Sequence, residues 1–341
     1  MIHPPIHFPA PPKRILIIKP SALGDIVHTL PLLPLLRNRF PGATITWLVV
    51  PAFASLLTDH PQIDDVILFE RRRWTSVFAL SRALRERAFD LVLDLQGLFR
   101  SGFLGWMTGA PVRVGFSYAR EMAWWFYTAD VDTPTPERHA IERYLDVAEA
   151  LGCARGPVTF EFGVTEADRT AVDALFDRST PYAVLLPGTN WATKRWPAER
   201  FGELVRPLQS DLSLVPVIAG GNDAAALAPQ IPGAIDLTCR TTLRQLVALL
   251  ERASLVITND SGPMHIAAAL GVPMVSLFGP TSPIRTGPYR RELTVLRTDI
   301  CCSPCYSRTC THHSCLRELT SDRVLSHART ILDPDASARH R

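Results

Sequence analysis

The sequence predicts an α/β protein of two Rossmann-like domains, with parallel sheets facing a central cleft. Three observations lead to this fold class. Short apolar runs alternate with amphipathic segments, the alternation restarts near the middle of the chain, and the apolar runs are continuous. Continuous apolar strands separated by amphipathic helices are typical of parallel sheets that are covered by helices on both faces.

The first half of the chain predicts one domain over residues 14–165. Its strands are expected at RILIIK, ATITWLVV, VILF and FDLVLDL, and its helices at DIVHTLPLLPLLRNRF and SVFALSRALRERA. Pro31 and Pro34 fall early in the first helix, where we expect a kink. Residues 1–13 are Pro-rich and lack the apolar core of a signal peptide, so they predict a flexible leader.

The second half predicts another domain over residues 166–332, joined to the first near FEFGVTEADRTAV. Its strands are expected at YAVLLPG, SLVPVIAGG, SLVITND and PMVSLFG, and its helices at PAERFGELVRPLQS, TLRQLVALLERA and GPMHIAAALG. A last helix at SDRVLSHARTIL precedes a polar tail, residues 333–341, which we expect to be disordered. The two halves share this pattern of elements, but no repeated sequence.

The composition excludes several classes of protein. Of the 341 residues, 47% are hydrophobic and 20% are charged, which is typical of a soluble globular protein. The net charge of +3 argues against a dedicated nucleic-acid binder. The longest uncharged stretch, residues 261–284, contains four prolines and predicts a strand between turns rather than a membrane span. Seven cysteines in a chain with no export signal predict reduced thiols in the cytoplasm.

The first strand leads into the turn KPSALGDIVHTLPLL, Lys19 to Leu33. A strand, a turn of small residues and an apolar helix usually open a nucleotide-binding α/β unit. This turn has one glycine, Gly24, where a dinucleotide site has three, and an acid, Asp25, stands where the helix begins. Because an acid there would repel a phosphate, Asp25 is either the N-cap of the helix or a group that faces another substrate.

A second strand-to-helix turn, TNDSGPMHIAAALGVPMVSLFGPTSP, lies in the other half. Asp260, Ser261 and Gly262 end a strand and open a helix, so their backbone N–H groups can point at an anion. His265 follows about one turn into that helix, and FGPT ends a further strand at the same cleft. The alternative is that Asp260 or Ser261 serves only as an N-cap.

A third segment, LLPGTNWATKRWPAERF, places Thr189, Asn190 and Lys194 between a strand and a helix. The chain has three lysines, Lys13, Lys19 and Lys194, against many arginines. A lysine in such a chain indicates a point charge for a phosphate rather than a planar fork. The alternative is an ordinary solvated lysine of a loop.

These segments together resemble the lipopolysaccharide heptosyltransferase family, glycosyltransferase family 9, and most of all heptosyltransferase I. The resemblance runs from about Arg14 to about Leu332 and includes KPSALGDIVHTLP, DLVLDLQGLFRS, HAIERYLDVAEALG, LLPGTNWATKRWP, AGG and TNDSGPMHIAAALGVP…LFGPT. It implies the GT-B fold and an inverting transfer of heptose from ADP-L-glycero-D-manno-heptose to the Kdo-lipid A inner core of lipopolysaccharide. Heptosyltransferase II, which adds the second heptose, and a family relative that uses another nucleotide sugar remain alternatives.

The resemblance also implies roles for individual residues. Asp25 matches the proposed catalytic base, and Lys194 matches a catalytic residue at the leaving diphosphate. The donor-binding positions are Thr189, Asn190, Lys194, Thr241, Asp260, Ser261, Gly262 and His265. The acceptor-binding positions are Arg71, Arg72, Arg73 and Arg120. A glycosyl transfer needs a base for the acceptor hydroxyl and positive charge for the departing diphosphate, so the chemistry agrees with these roles.

The surroundings of these arginines distinguish the family members. Arg71 to Arg73 are either a solvated run or a set of forks for the acidic groups of the acceptor. We expect the aromatic residues of AREMAWWFY to belong to the core, although they could contact lipid. This element and the arginine run favour the first heptosyltransferase, whereas the cysteine segment favours the second.

The cysteine segment CCSPCYSRTCTHHSC raises the possibility of a metal. Cys302, Cys305, Cys310 and Cys315 could supply the four ligands of a structural zinc site. The resemblance implies no metal and no cofactor beyond the donor substrate, ADP-heptose. The spacing of Asp130 and Asp132 is that of a divalent-metal motif, but TADVDTPTPERH predicts a Pro-rich loop.

The predicted partners are therefore ADP-heptose and the lipopolysaccharide acceptor, with no nucleic acid. The predicted location is the cytoplasmic face of the inner membrane, with peripheral association. A two-lobed binding protein without turnover is the rival from another functional class, and Asp25 at the predicted cleft counts against it.

Overall fold

The structure, a computed structural model, describes residues 5–70, 74–135 and 137–333, with side chains left out of the description at 74–79. Its contacts divide the chain into unit 1, residues 1–163, and unit 2, residues 164–341. This division lies close to the boundary predicted after residue 165. Arg71 to Arg73, the first four residues of the leader and residues 334–341 of the tail lie outside the described residues.

Unit 1 contains a six-stranded parallel sheet in its described part. The strands are β1 Arg14–Ile18, β2 Thr44–Val49, β3 Asp65–Leu68, β4 Leu91–Asp94, β5 Val112–Phe116 and β6 Ala129–Val131. The helices are α1 Leu23–Thr29, α2 Leu32–Arg39, α3 Pro51–Ala54, α4 Trp74–Glu86, α5 Phe99–Met107 and α6 Ala140–Ala150, with a 3-10 helix at Ala123–Phe126.

The described part of unit 2 repeats this plan with another six-stranded parallel sheet. The strands are β7 Tyr182–Leu186, β8 Val215–Ile218, β9 Ile235–Asp236, β10 Leu255–Asn259, β11 Met274–Phe278 and β12 Val295–Arg297. The helices are α7 Glu166–Asp173, α8 Ala198–Ser210, α9 Asn222–Ala225, α10 Leu243–Glu251, α11 Gly262–Ala269, α12 Pro283–Thr286, α13 Ser314–Arg317 and α14 Ser321–Leu332, with 3-10 helices at Ala192–Lys194, Ala228–Gln230 and Glu292–Thr294.

The strand order decides which turns are neighbours. In unit 1 it is β3-β2-β1-β4-β5-β6, and in unit 2 it is β9-β8-β7-β10-β11-β12. Both orders are that of the Rossmann fold. In this fold the first three strands are added towards one side of the sheet and the next three towards the other side, so the first and fourth strands are adjacent. The turns after β1 and β4 are therefore neighbours in unit 1, and those after β7 and β10 are neighbours in unit 2. The predicted pair of Rossmann-like domains is confirmed for each unit, while the cleft between them stays a prediction.

The long first helix of the prediction is divided in two. α1 ends at Thr29, α2 begins at Leu32, and Pro31 is the N-cap of α2. The proline ring removes a backbone donor, so the chain breaks the helix at the place where the sequence predicted only a kink.

Two segments differ from their predictions. Asp130 lies in β6, where it is paired with Gly115 of β5, and Asp132 directly follows the strand. The expected loop is wrong here, because a three-residue edge strand leaves little signal beside the prolines that follow it. In the leader, the Ile6 N–H donates to the Ala150 oxygen at 2.8 Å, so this part of the leader contacts unit 1.

A buried acid fixes the turn after β4. Asp94 is 1% exposed and accepts hydrogen bonds from the Tyr127 hydroxyl at 2.7 Å, the Ser101 hydroxyl at 2.9 Å and two backbone N–H groups. Burial raises the pKa of Asp94, and these hydrogen bonds offset only part of the rise. Gly115 makes room for Tyr127, since a Cβ there would lie 2.2 Å from the ring. This network holds the turn after β4 against α5 and Tyr127.

Candidate active site

Asp25 lies in the first turn of α1, at the carboxyl edge of the sheet of unit 1. Its Oδ2 accepts a hydrogen bond from the Ala22 N–H at 3.3 Å and lies 3.6 Å from the Lys19 Nζ. Ala22, not Asp25, is the N-cap of the helix. The Asp25 side chain remains 42% exposed, so its carboxylate is oriented on one side and open to solvent on the other.

Lys19 is the buried partner of Asp25, and the sequence analysis assigned it no role. Its Nζ donates to the Leu95 oxygen at 2.9 Å and lies 5.6 Å from the centroid of the Tyr144 ring. Burial lowers the pKa of Lys19, but the Asp25 carboxylate and the Tyr144 hydroxyl raise it by more, so the net shift is upward. The side chain is therefore a fixed ammonium that orients Asp25. Its signal in the sequence is its position directly after β1.

Arg120 is exposed at the same edge of unit 1. It lies in the segment between β5 and the 3-10 helix Ala123–Phe126, and its N–H donates to the Gly97 oxygen at 2.9 Å. Gly97 follows β4 and has a φ of 67°, which favours glycine. Arg120 is thus tied to the turn after β4, whose Leu95 accepts the hydrogen bond from Lys19.

A second arginine, Arg143 of α6, was missed by the sequence analysis. Its guanidinium donates to the Tyr118 hydroxyl at 3.4 Å and lies 5.7 Å from the centroid of the Tyr118 ring. Tyr118 follows β5 and is 41% exposed. The available signal was the motif HAIERYL, which was used only as part of the family resemblance.

In unit 2, the turns after β7 and β10 meet at an ion pair. The Lys194 Nζ lies 2.7 Å from the Asp260 Oδ2, with the lysine side chain 17% exposed and the aspartate 5% exposed. The same oxygen of Asp260 accepts a hydrogen bond from the Thr281 hydroxyl at 2.5 Å, and the Asp260 carbonyl accepts one from the Thr189 hydroxyl at 3.1 Å. The structure therefore brings Thr189, Lys194 and Asp260 together and adds Thr281 from the segment FGPT.

The buried amide of Asn259 fixes these two turns against each other. Its Oδ1 accepts a hydrogen bond from the Trp196 N–H at 3.0 Å, and its Nδ2 donates to the Pro187 oxygen at 2.7 Å. A buried amide that is bonded on both sides holds a loop in one position. The loop from residue 187 to 196, which carries Lys194, is thereby bound to the end of β10.

Ser261 is the N-cap of α11, but its side chain makes no capping hydrogen bond. Its hydroxyl lies 3.4 Å from the Thr258 hydroxyl, and Gly262 is the first residue of the helix. Ser261 thus occupies the N-cap position that the alternative gave it, but without a side-chain capping bond. Backbone N–H groups in the first turn of such a helix are suited to an anion. His265 lies in the next turn and is 8% exposed.

Two cationic side chains, Lys194 and Arg308, lie over the ring of Trp191. The Lys194 Nζ lies 4.8 Å from the ring centroid and the Arg308 guanidinium carbon lies 4.5 Å from it. The sequence analysis missed Trp191 and Arg308, because they are distant in the chain. Together they add a second cation close to Lys194.

Two predicted donor-binding residues, Asn190 and Thr241, make fewer contacts with the group formed by Lys194 and Asp260. Asn190 is exposed in the same loop as Lys194. Thr241 follows β9, which β8 separates from β7 in the sheet. Within the described part of the chain, no hydrogen bond or ion pair connects Thr241 with Lys194 or Asp260. The nucleoside role of Thr241 stays a prediction.

The cysteine segment lines a pocket of about 390 Å³ in unit 2, together with His312 and His313. Burial raises the pKa of the Cys315 thiol, and the nearby thiols of Cys310, Cys302 and Cys305 raise it further. In the ranges that the structure describes, however, no group of three or more His, Cys, Asp or Glu side chains is arranged to hold a metal ion. The possible zinc site at these four cysteines stays a prediction.

The comparisons with known proteins agree with the resemblance in the sequence. The family model described as glycosyltransferase family 9 (heptosyltransferase) matches residues 77–315. The chain belongs to this family. It is 34% identical over 326 residues to lipopolysaccharide heptosyltransferase 1 of Pseudomonas aeruginosa, which covers 88% of each chain. It is 28% identical over 357 residues to lipopolysaccharide heptosyltransferase 2 of Salmonella typhimurium, which covers 94% of this chain and 99% of that one.

A solved structure of this glycosyltransferase family has the same fold. The structure of E. coli heptosyltransferase WaaC with ADP matches with a TM-score of 0.74 and 27% identity, over 93% of this chain and 99% of that one. The predicted GT-B fold class and the predicted glycosyltransferase class are thereby confirmed. Among the described helices, none has both the length and the apolar character needed to cross a membrane.

Proposed function

We propose that this glycosyltransferase moves heptose from ADP-heptose to the Kdo-lipid A inner core of lipopolysaccharide, with inversion at the anomeric carbon. The observation that carries the proposal is the cationic cluster of Lys194 and Arg308 beside the uncapped first turn of α11. Membership of glycosyltransferase family 9 and the 34% identity to a type 1 heptosyltransferase support the choice of substrates.

The donor diphosphate is assigned to unit 2. Asp260 is buried and bonded to Lys194 and Thr281, so its charge is balanced and it orients the ammonium rather than binding a phosphate. Asp260 holds the Lys194 ammonium beside the first turn of α11, and Arg308 can turn its charge from the Trp191 ring towards a diphosphate, which is a stronger partner than an aromatic face. Positive charge placed in this way stabilises ADP as it leaves.

The acceptor and the proton transfer are assigned to unit 1. Asp25 takes the proton of an acceptor hydroxyl while that oxygen forms the bond to the anomeric carbon and ADP departs from the opposite side. Lys19 and the Ala22 N–H hold the carboxylate in the orientation that this step needs. The guanidinium groups of Arg120 and Arg143 bind the carboxylate and phosphate groups of the acceptor through paired N–H donors.

The location follows from the acceptor. Kdo-lipid A is held in a bilayer by its acyl chains, while a nucleotide sugar is a water-soluble metabolite of the cytoplasm. We therefore infer that the enzyme works at the cytoplasmic face of the inner membrane as a peripheral protein.

The second candidate function is addition of the second heptose. The similarity to lipopolysaccharide heptosyltransferase 2 of Salmonella typhimurium along 94% of this chain favours it.

The choice of acceptor is tested by ADP release. Purified enzyme with ADP-heptose should release ADP in the presence of Kdo-lipid A. Release only with a core that already carries one heptose would favour the second candidate, and no release with either acceptor would contradict both.

Replacing Asp25 by asparagine tests the base. Asp25→Asn keeps the size of the side chain but cannot accept a proton at neutral pH, so turnover should fall by about a hundredfold or more. The affinity for ADP-heptose, measured by calorimetry, should remain unchanged. Asp130→Asn is the matched control, because Asp130 is an exposed acid of the same unit, and its turnover should be normal. Near-normal turnover of Asp25→Asn would show that another group is the base.

Replacing Lys194 by alanine tests the charge at the leaving group. Lys194→Ala should lower kcat/KM for ADP-heptose by about a hundredfold, because a cation that stabilises the departing diphosphate is lost. Lys13→Ala removes an exposed lysine of unit 1 and is the control. If the defect of Lys194→Ala were confined to the KM of the acceptor, the assignment of this lysine to the donor would be wrong.

Chelation tests whether a metal ion takes part. The positive charge at the diphosphate is assigned to Lys194, Arg308 and backbone N–H groups, so turnover should survive EDTA. Asp132 follows a strand and has the spacing of a metal motif with Asp130, but it accepts a hydrogen bond from the Ser117 hydroxyl at 2.9 Å. Rapid loss of activity with EDTA that magnesium or manganese restores would contradict this assignment and bring Asp130 and Asp132 forward.

A further inference from the structure

Unit 1 exposes a group of large apolar side chains that the mechanism does not use. They lie on α5 and on the segment from Met122 to Phe126. The exposed fractions are 43% for Phe99, 52% for Trp106, 48% for Met122, 48% for Trp124 and 60% for Trp125. The expectation that the aromatic residues of AREMAWWFY belong to the core is therefore wrong for Trp124 and Trp125. We call these five residues the aromatic surface.

Two members of the aromatic surface, Phe99 and Trp106, belong to a layer of packed rings. The Phe126 ring lies 5.2 Å from that of Phe99, 5.8 Å from that of Phe103 and 6.4 Å from that of Trp106, between ring centroids. The rings of Trp124 and Trp125 lie 5.4 Å apart. The layer fixes Phe99 and Trp106, while Trp124 and Trp125 pack on each other.

A glycine allows the two elements to approach. A Cβ at Gly102 of α5 would lie 2.9 Å from the Ala123 oxygen and 3.0 Å from the Phe126 ring. The turn before the 3-10 helix has a left-handed backbone at two residues that are not glycine, with φ of 55° at Glu121 and 57° at Met122. Such a backbone costs energy and persists only where the surrounding structure holds it in place. Here it leaves Met122 exposed.

The charges around the aromatic surface are mostly positive. From residue 99 to 126 the chain has three arginines, Arg100, Arg113 and Arg120, and one acid, Glu121. Arg113 donates to the Phe126 oxygen at 2.8 Å, so it lies against the 3-10 helix, and Glu121 accepts from the Phe99 N–H at 3.3 Å. Exposed indole rings with neighbouring arginines are the combination that binds the headgroup region of anionic bilayers.

We propose that the aromatic surface docks this enzyme on an anionic phospholipid bilayer, with Trp124 and Trp125 at the level of the headgroups. The inference rests on the proposed function, since the acceptor assigned there is held in a bilayer. Arg120, an acceptor-binding position, stands two residues before Met122 in the same turn. Docking here brings the acceptor-binding edge of unit 1 to the lipid surface from which the acceptor must be taken.

Vesicle flotation of the full chain tests the docking directly. The probes are vesicles of phosphatidylethanolamine with phosphatidylglycerol, and vesicles of phosphatidylcholine alone. The wild type should float with the anionic vesicles and less with the neutral ones. The double variant Trp124→Ser/Trp125→Ser should bind the anionic vesicles about tenfold more weakly or worse, because two rings lose their contact with the interface. Ile284→Ser, which removes an exposed apolar side chain of unit 2, is the control and should bind as the wild type does.

Turnover on two forms of the acceptor separates docking from catalysis. The ratio of turnover on a vesicle-embedded acceptor to turnover on a deacylated, water-soluble acceptor should fall about tenfold in the double variant, following its loss of binding. If neither acceptor is used, the proposed function fails while flotation still tests the docking. Trp106→Ser on its own provides a second variant should the double variant unfold, and it should also weaken flotation.

Three results would overturn the proposal. One is a wild type that does not float with anionic vesicles, and another is a double variant that floats as well as the wild type. The third is a wild-type dimer in sedimentation that the double variant converts to monomers without a change in flotation, which would make the aromatic surface a contact between copies of this chain.

Discussion

The parallel direction of every strand in each unit is the constraint on which the candidate site depends. Parallel strands end at one edge of their sheet, so the turns after them are gathered there. The shared strand order then makes neighbours of the turns after β1 and β4, and of those after β7 and β10. Lys19 can therefore reach the Leu95 oxygen, and Lys194 can reach Asp260, across the two central strands.

The two ion pairs have opposite arrangements. In unit 1 the lysine is buried, with 5% of its side chain exposed, while Asp25 is 42% exposed. In unit 2 the acid is buried, with 5% exposed, and Lys194 is the more exposed partner at 17%. The same kind of turn thus leaves the acid as the more exposed partner in unit 1 and the lysine as the more exposed partner in unit 2. A glycosyl transfer needs both, since one substrate loses a proton and the other loses a diphosphate.

The sequence was sufficient to predict elements that are determined by residues within the element itself. Continuous apolar runs predicted the central strands, and Pro31 marked the place where α1 and α2 separate, although the prediction there was a kink. It was insufficient where the cause lies elsewhere in the chain. The contact of Trp191 with Arg308 joins loops more than a hundred residues apart, and a composition cannot show that Trp125 is left uncovered by other elements. β6 is held by its pairing with β5, so its own three residues and the prolines after them predicted a loop.

The division of charge between the units is tested most directly by amide hydrogen exchange of the full chain with and without ADP. If the diphosphate is held at the carboxyl edge of unit 2, ADP slows exchange in peptides that cover residues 187–196 and 258–266. Exchange over residues 19–29, which include Asp25, is then unchanged. Slowed exchange over residues 19–29 with no change in the two segments of unit 2 would place the phosphates beside Asp25 and contradict the assignment.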